Sequence, residues 1–146
     1  NEVIKFRSVV VIAFCIMPNH FHIIIKQLND GGIASYMHRV LGGYSRYYNK
    51  KYGTSGHVFQ SAYRAVHIEN NAQLLYLTAY IHRNPRVLSE WYKKEEQYEW
   101  SSYQDYIGIS RHRGLLDLSI ILEQFDSKEK YHQFVEFSLA KEISGE

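Results

Sequence analysis

The sequence predicts an α+β domain, and three observations carry that prediction. An unbroken apolar run from Val9 to Met17 has the length of a buried strand. A second β-branched run, His20–Gln27, follows after only Pro18 and Asn19, so the two strands should pair antiparallel. Beyond them the apolar residues recur at helical spacing, first over Ile33–Tyr52, then from Asn70 or Asn71 to about Arg83, and last after Asp126 or Ser127. With 146 residues, 45% of them hydrophobic and 15% aromatic, the chain can bury one real core, which excludes a disordered segment.

Each element has its own local reason. Val9–Met17 is apolar throughout, as in a central strand covered on both faces. Pro18 cannot donate to a ladder and suits the entrance of the next strand. There side chains alternate, so His20 and His22 leave one face while Phe21, Ile23 and Ile25 leave the other. Asn29-Asp30-Gly31-Gly32 breaks the chain. The first helix should carry Ile33, Met37, Val40, Leu41, Tyr44 and Tyr48 on one face and Arg39, Arg46 and Lys50 on another. Gly42-Gly43 weakens its middle and offers a place for another backbone to approach closely, and Gly53-Thr54-Ser55-Gly56 ends it. His57–Ile68, with Val58, Phe59, Tyr63, Val66 and Ile68, has the look of a strand or hairpin arm.

In the second helix Leu74, Leu77 and Ile81 should form the core stripe, while Tyr76, Tyr80 and Asn84 fall on one line. Pro85 disfavours helical geometry at Asn84, so the helix should end there. A short polar helical stretch follows near Leu88–Glu96, and a serine of Trp100-Ser101-Ser102-Tyr103 can cap another short helix. Ile107–Gly114 is a basic loop with Arg111, His112 and Arg113, and Leu115–Phe125 is apolar enough to dock on the domain. The last helix should present Tyr131, Phe134, Val135 and Leu139 on one side.

Net charge is only +2, yet it is unevenly spread. From Asn1 to Arg64 the acids are Glu2 and Asp30, against Lys5, Arg7, Lys26, Arg39, Arg46, Lys50, Lys51 and Arg64. A basic half beside an acidic half fits a domain with one anion-binding face, and equally a solvated surface of uneven charge. Cys15 is the single cysteine, so no disulfide framework exists, which points to a reducing compartment and a cytoplasmic protein. The longest apolar stretch is far too short to span a bilayer.

The residue types suggest a chemistry. Two imidazoles two apart on a strand can converge on one metal ion. Tyr80 and Asn84, one helical turn apart, would add an oxygen ligand and a phenol if their face packed over the histidine strand. A phenol is a weak nucleophile, but a metal can polarise and orient a phosphodiester for in-line attack. Taken singly, the histidines could be one exposed and one core residue, and Tyr80 one core tyrosine among thirteen.

The string A-F-C-I-M-P-N-H-F-H-I-I-I resembles the histidine motif of the single-tyrosine (HUH, insertion-sequence-200-like) transposases. Then Y-S-R-Y-Y-N-K-K-Y-G-T-S-G-H-V-F-Q, L-L-Y-L-T-A-Y-I-H-R-N-P and Y-E-W-S-S-Y are similar, in the same order, to the REP-associated tyrosine transposase branch. The likeness covers roughly Val9 to Ile107. It implies a ferredoxin-like antiparallel sheet with helices packed on one face, over residues 1–108, and a helical C-terminal extension over residues 109–146 packed on it. Only eight residues precede Val9, where the family carries a strand and a helix, so those two elements are expected to be missing.

The resemblance further implies an enzyme that nicks and rejoins single-stranded DNA near hairpins through a 5′-phosphotyrosine intermediate. Tyr80 falls on the nucleophile, and His20, His22 and Asn84 fall on the metal ligands. Two imidazoles and an amide oxygen suit Mg²⁺ or Mn²⁺ better than a closed zinc site. DNA contacts are expected from Lys26, Arg39, Arg46, Lys50 and Arg64, with a monomer or a homodimer both compatible. The family's V-R-A-G-L reads R-V-L-S-E here, and its F-Q-G-R reads F-Q-S-A, changes nearer to DNA contacts than to chemistry. The alternative is a module of the same fold that binds hairpin or single-stranded DNA without cutting it.

Overall fold

The structure, a computed structural model, describes residues 6–138. Expected Leu139 of the last helix face lies outside the described residues. The chain divides into two compact units, one of residues up to Val9 with Gln27–His67, the other of Val10–Lys26 with residues from Ile68 onward. Among the described residues the fold is mixed α and β around one two-stranded antiparallel sheet, β1 (Val9–Ile16) and β2 (Phe21–Gln27). The helices are α1 (Gly32–Tyr52), α2 (Asn71–Arg83), α3 (Tyr103–Ile107), α4 (Ser119–Leu122) and α5 (Lys128–Glu136), with 3₁₀ turns at Asn84–Val87, Ser89–Trp91 and Glu95–Gln97. No described helix is long and apolar enough to cross a membrane.

In the first unit, α1 starts after Gly31 and stops at Gly53, both left-handed, the latter donating its N–H to the Asn49 carbonyl. Met37 is buried, but Val40 and Tyr44 of the expected apolar face are 43% and 48% exposed. Among the described residues no second backbone comes close to Gly42 or Gly43. The nearest atoms to a Cβ at either position belong to the Arg46 guanidinium, and the helix runs through them unbroken. The close approach is at Gly32, where a Cβ would collide with the Ser8 backbone oxygen. His57–Ile68 is not a strand: it is irregular and largely exposed, with Val66 80% exposed. Its residue types favour β geometry, but a strand exists only where a ladder partner takes up its backbone groups.

In the second unit the core gathers Ile12, Ala13, Cys15, Met17 and Ile24 from the strands, Ala79 and Ile81 from α2, and Tyr103, Tyr106, Ile121, Tyr131 and Val135 from later elements. The Met17 N–H donates to the His20 carbonyl at 2.8 Å and closes the turn between the strands. The carbonyls of Ile12, Phe14 and Ile16, on one strand edge by the two-residue period, accept from Tyr106 Oη (2.7 Å), Ser102 N (2.9 Å) and Tyr98 Oη (2.7 Å). Hydroxyls and a loop backbone thus satisfy groups that another strand would otherwise take. The core line of α2 is Thr78, Ala79, Ile81 and His82, whereas the expected Leu74 and Leu77 are half-buried.

The serine cap of α3 comes from Ser101, whose Oγ accepts from Tyr103 N at 3.1 Å. Ser127 caps α5 through Lys130 N, also at 3.1 Å. Ser119–Leu122 docks through Ile121, which is fully buried.

Candidate active site

His20, His22, Tyr80 and Asn84 all lie in the second unit. His20 stands just before β2 and is exposed, while His22, inside β2, is half-buried. Their rings lie 5.1 Å apart between centroids at 80°. His20 Nδ1 is 2.7 Å from the Asn19 side-chain oxygen. Since that oxygen can only accept, Nδ1 carries a proton, and in the neutral ring Nε2 is then the nitrogen with the lone pair. Burial, and then its electrostatic interaction with His20, hold His22 below the ordinary imidazole range, which favours its neutral form.

The helix carrying the other two residues is set at both ends. Asn70 Oδ1 accepts from Gln73 N at 2.8 Å, and Gln73 Oε1 reaches back to Glu69 N at 2.8 Å. At the far end α2 stops at Arg83, as Pro85 demands, but Asn84 keeps helical angles (φ −52°, ψ −39°) instead of leaving them. The chain tightens into the 3₁₀ turn Asn84–Val87, where the proline ring needs no donor, and Pro85 is buried. Arg86 then pairs with Glu95 and, at 3.7 Å, with Glu136 of α5. These contacts anchor the segment right after Asn84.

Tyr80 is half-buried, and its ring meets that of His22 at 5.7 Å and 75°. Asn84, one turn later, is 7% exposed, and among the described residues no hydrogen bond engages its side chain. Two imidazoles, one hydrogen-bonded through Nδ1 so that its Nε2 is the nitrogen left to a ligand, and an amide oxygen are a donor set that can hold a divalent cation. The buried thiol and three buried phenols are withdrawn as nucleophiles. Burial pushes the Cys15 thiol up to about 12 and raises the phenols of Tyr103, Tyr106 and Tyr131 far above their usual range.

Of the expected DNA contacts, Lys26 is exposed at the end of β2 in this unit. Arg39, Arg46, Lys50 and Arg64 are exposed in the first unit, the first three on α1. Within that unit Tyr44 neighbours Phe59 at 5.9 Å, and Lys51 lies over the Tyr47 and Tyr52 rings at 5.8 and 5.3 Å. Sequence reasoning passed over Asn19, whose signal is a short amide directly before the first histidine. It also passed over His82, whose only signal is a histidine inside an apolar helix.

Residues 1–84 match the family model described as Transposase IS200 like, a match that spans over half of the chain and ends on Asn84. No curated protein matches the chain. No solved structure matches it either.

Proposed function

Because the chain belongs to the family of IS200-like transposases, we propose that it is a metal-dependent enzyme that nicks and rejoins single-stranded DNA near hairpins, with Tyr80 as its nucleophile. The observation that carries this reading is the Tyr80 ring against the His22 ring, with the His20 ring next to His22. In this reading Tyr80 Oη attacks the phosphorus and the bond from phosphorus to the 3′-oxygen breaks. That oxygen takes the electron pair and a proton and leaves as a free 3′-hydroxyl. The downstream strand stays joined to Tyr80 by its 5′-phosphate. The new ester is about as energetic as the old one, so a 3′-hydroxyl can reverse the step and join strands. Mg²⁺ or Mn²⁺, held by His20, His22 and Asn84, would neutralise and orient the phosphate when bound.

Lys26, Arg39, Arg46, Lys50 and Arg64 are the residues we assign to the DNA backbone, as an electrostatic rather than a base-reading contribution. We place the chain in the REP-associated branch on the ordered motifs that include Y-E-W-S-S-Y. We read residues 1–108 as the transposase domain and residues 109–146 as its extension.

The test is a covalent trap: a hairpin-bearing single strand, Mn²⁺, and a denaturing gel. Tyr80→Phe, which loses one oxygen and keeps its ring, should abolish the adduct and leave DNA binding within about twofold. Tyr76→Phe, one turn earlier, should leave it unchanged, and EDTA should remove it. An adduct on the Tyr80→Phe protein refutes the mechanism. DNA binding without any product supports the non-cleaving module instead.

A further inference from the structure

His82 stands midway between Tyr80 and Asn84, two residues from each. At about 100° per residue, two steps turn a side chain by about 200°, so His82 leaves α2 on the side opposite to the Tyr80–Asn84 line. On that side it is 0% exposed. Its ring is stacked on Tyr103 at 5.0 Å and 17°, and Tyr106 lies 4.8 Å away.

Both nitrogens are engaged: Nδ1 lies 2.6 Å from Tyr131 Oη of α5, and Nε2 lies 2.8 Å from Ser102 Oγ. Ser102 Oγ already accepts from Phe14 N at 2.9 Å and sends its single proton to Phe14 O at 3.2 Å. One proton arrangement satisfies the whole set. Nε2–H donates to Ser102, and the Tyr131 hydroxyl donates to Nδ1. A continuous network therefore runs from α5 through α2 to β1, the strand paired with the histidine strand. Ser102 and Tyr131 both lie beyond the family match, which ends at Asn84.

An apolar residue could fill this space at similar stability, since each hydrogen bond nets only about 1 kcal/mol. What hydrogen bonds add is direction. A tyrosine hydroxyl about 8 Å from the helix axis moves about 1.4 Å for a 10° rotation of the helix. A misplacement of about 1 Å can cost on the order of a hundredfold in rate. We infer that His82 is a positioning residue for the strand-transfer reaction, through which Ser102 and Tyr131 fix the rotation of α2 and so the aim of Tyr80 and Asn84. The inference rests on the reading of those two residues proposed above.

The test compares Tyr131→Phe, His82→Leu and His82→Gln in the full chain with Tyr80→Phe as reference. Tyr131→Phe should slow adduct formation about ten- to a hundredfold per molecule titrated as competent to bind the hairpin strand, with KM for that strand within about twofold, and this normalisation removes any loss of folded protein from the comparison. His82→Gln, which still reaches Ser102, should recover at least about tenfold of what His82→Leu loses. In the metal-free protein the imidazole nitrogen spectrum should show the Nε2–H tautomer and shift in Tyr131→Phe. Calorimetric Mn²⁺ affinity should fall in His82→Leu, because Asn84 moves. If His82→Leu fails to fold, Tyr131→Phe decides, since it removes one atom. Wild-type rates in the folded variants, with Tyr80→Phe inactive, overturn the positioning role alone. An active Tyr80→Phe overturns the parent reading and this one with it.

Discussion

Asn19 determines which nitrogen of His20 is offered to a ligand. Its side-chain oxygen accepts a hydrogen bond from Nδ1–H, so in the neutral ring Nε2 can donate its lone pair without a tautomer change. Asn19→Ala should therefore weaken Mn²⁺ binding about 10- to 100-fold by calorimetry while leaving the thermal midpoint of the metal-free protein unchanged. Asp105 acts on folding instead. Burial alone would raise its pKa, but the His112 ring, at 2.8 Å, and the His112 and Arg111 N–H groups, at 2.8 and 2.6 Å, outweigh it and the carboxyl is held below 3.8. A folded pKa below the unfolded one gives stability that is complete above about pH 4 and lost as pH falls through the folded value. Asp105→Asn should thus cost about 2 kcal/mol in urea unfolding at neutral pH, and the gap to wild type should narrow in acid. A gap that stays constant down to about pH 2 would mean that the carboxylate charge contributes nothing.

Among the elements, α1 and α2 are opposite cases. α2 is capped at Asn70, buried along Thr78, Ala79, Ile81 and His82, and continued into an anchored 3₁₀ turn. α1 buries only Gly32 and Met37 among its residues, and much of its surface, Arg39, Arg46 and Lys50 included, is open. Such a helix suits contact with a charged polymer. Replacing the three by Gln should lower the slope of log affinity for single-stranded DNA against log salt by about 2, at about 0.7 for each phosphate no longer neutralised. An unchanged slope would make the stripe a solvated face. Exposed Tyr44 and Tyr47 on the same helix are available for base stacking.

For the whole molecule, a ligand that binds only the folded state must raise its stability. Mn²⁺ at about a hundred times its dissociation constant should add about 2.7 kcal/mol, read as a higher melting temperature, and should add nothing to His20→Ala or His22→Ala. This readout is independent of cleavage. Much of the molecule was legible in the sequence because the deciding forces are local. Strand and helix periods located β1, β2, α1 and α2, cap residues narrowed two helix starts to Asn70 or Asn71 and to Asp126 or Ser127, of which the structure uses Asn70 and Ser127, and Pro85 marked the end of α2. The ordered motifs single out His20, His22, Tyr80 and Asn84. Where the partner lies far along the chain, the same reasoning failed. His57–Ile68 has strand-forming residues but no ladder partner among the described residues, and Gly32 rather than Gly42-Gly43 meets a backbone there, because Ser8 comes to it. That Tyr98 and Tyr106 donate to carbonyls of β1, or that His82 bridges Ser102 and Tyr131, depends on residues 20 to 94 positions apart, a pairing no local period can encode. The sequence by itself determined most of the elements and the candidate site residues. Only the tertiary structure decided which buried hydroxyls meet β1 and α2, since a buried hydrogen bond is specified by where both partners end up in space.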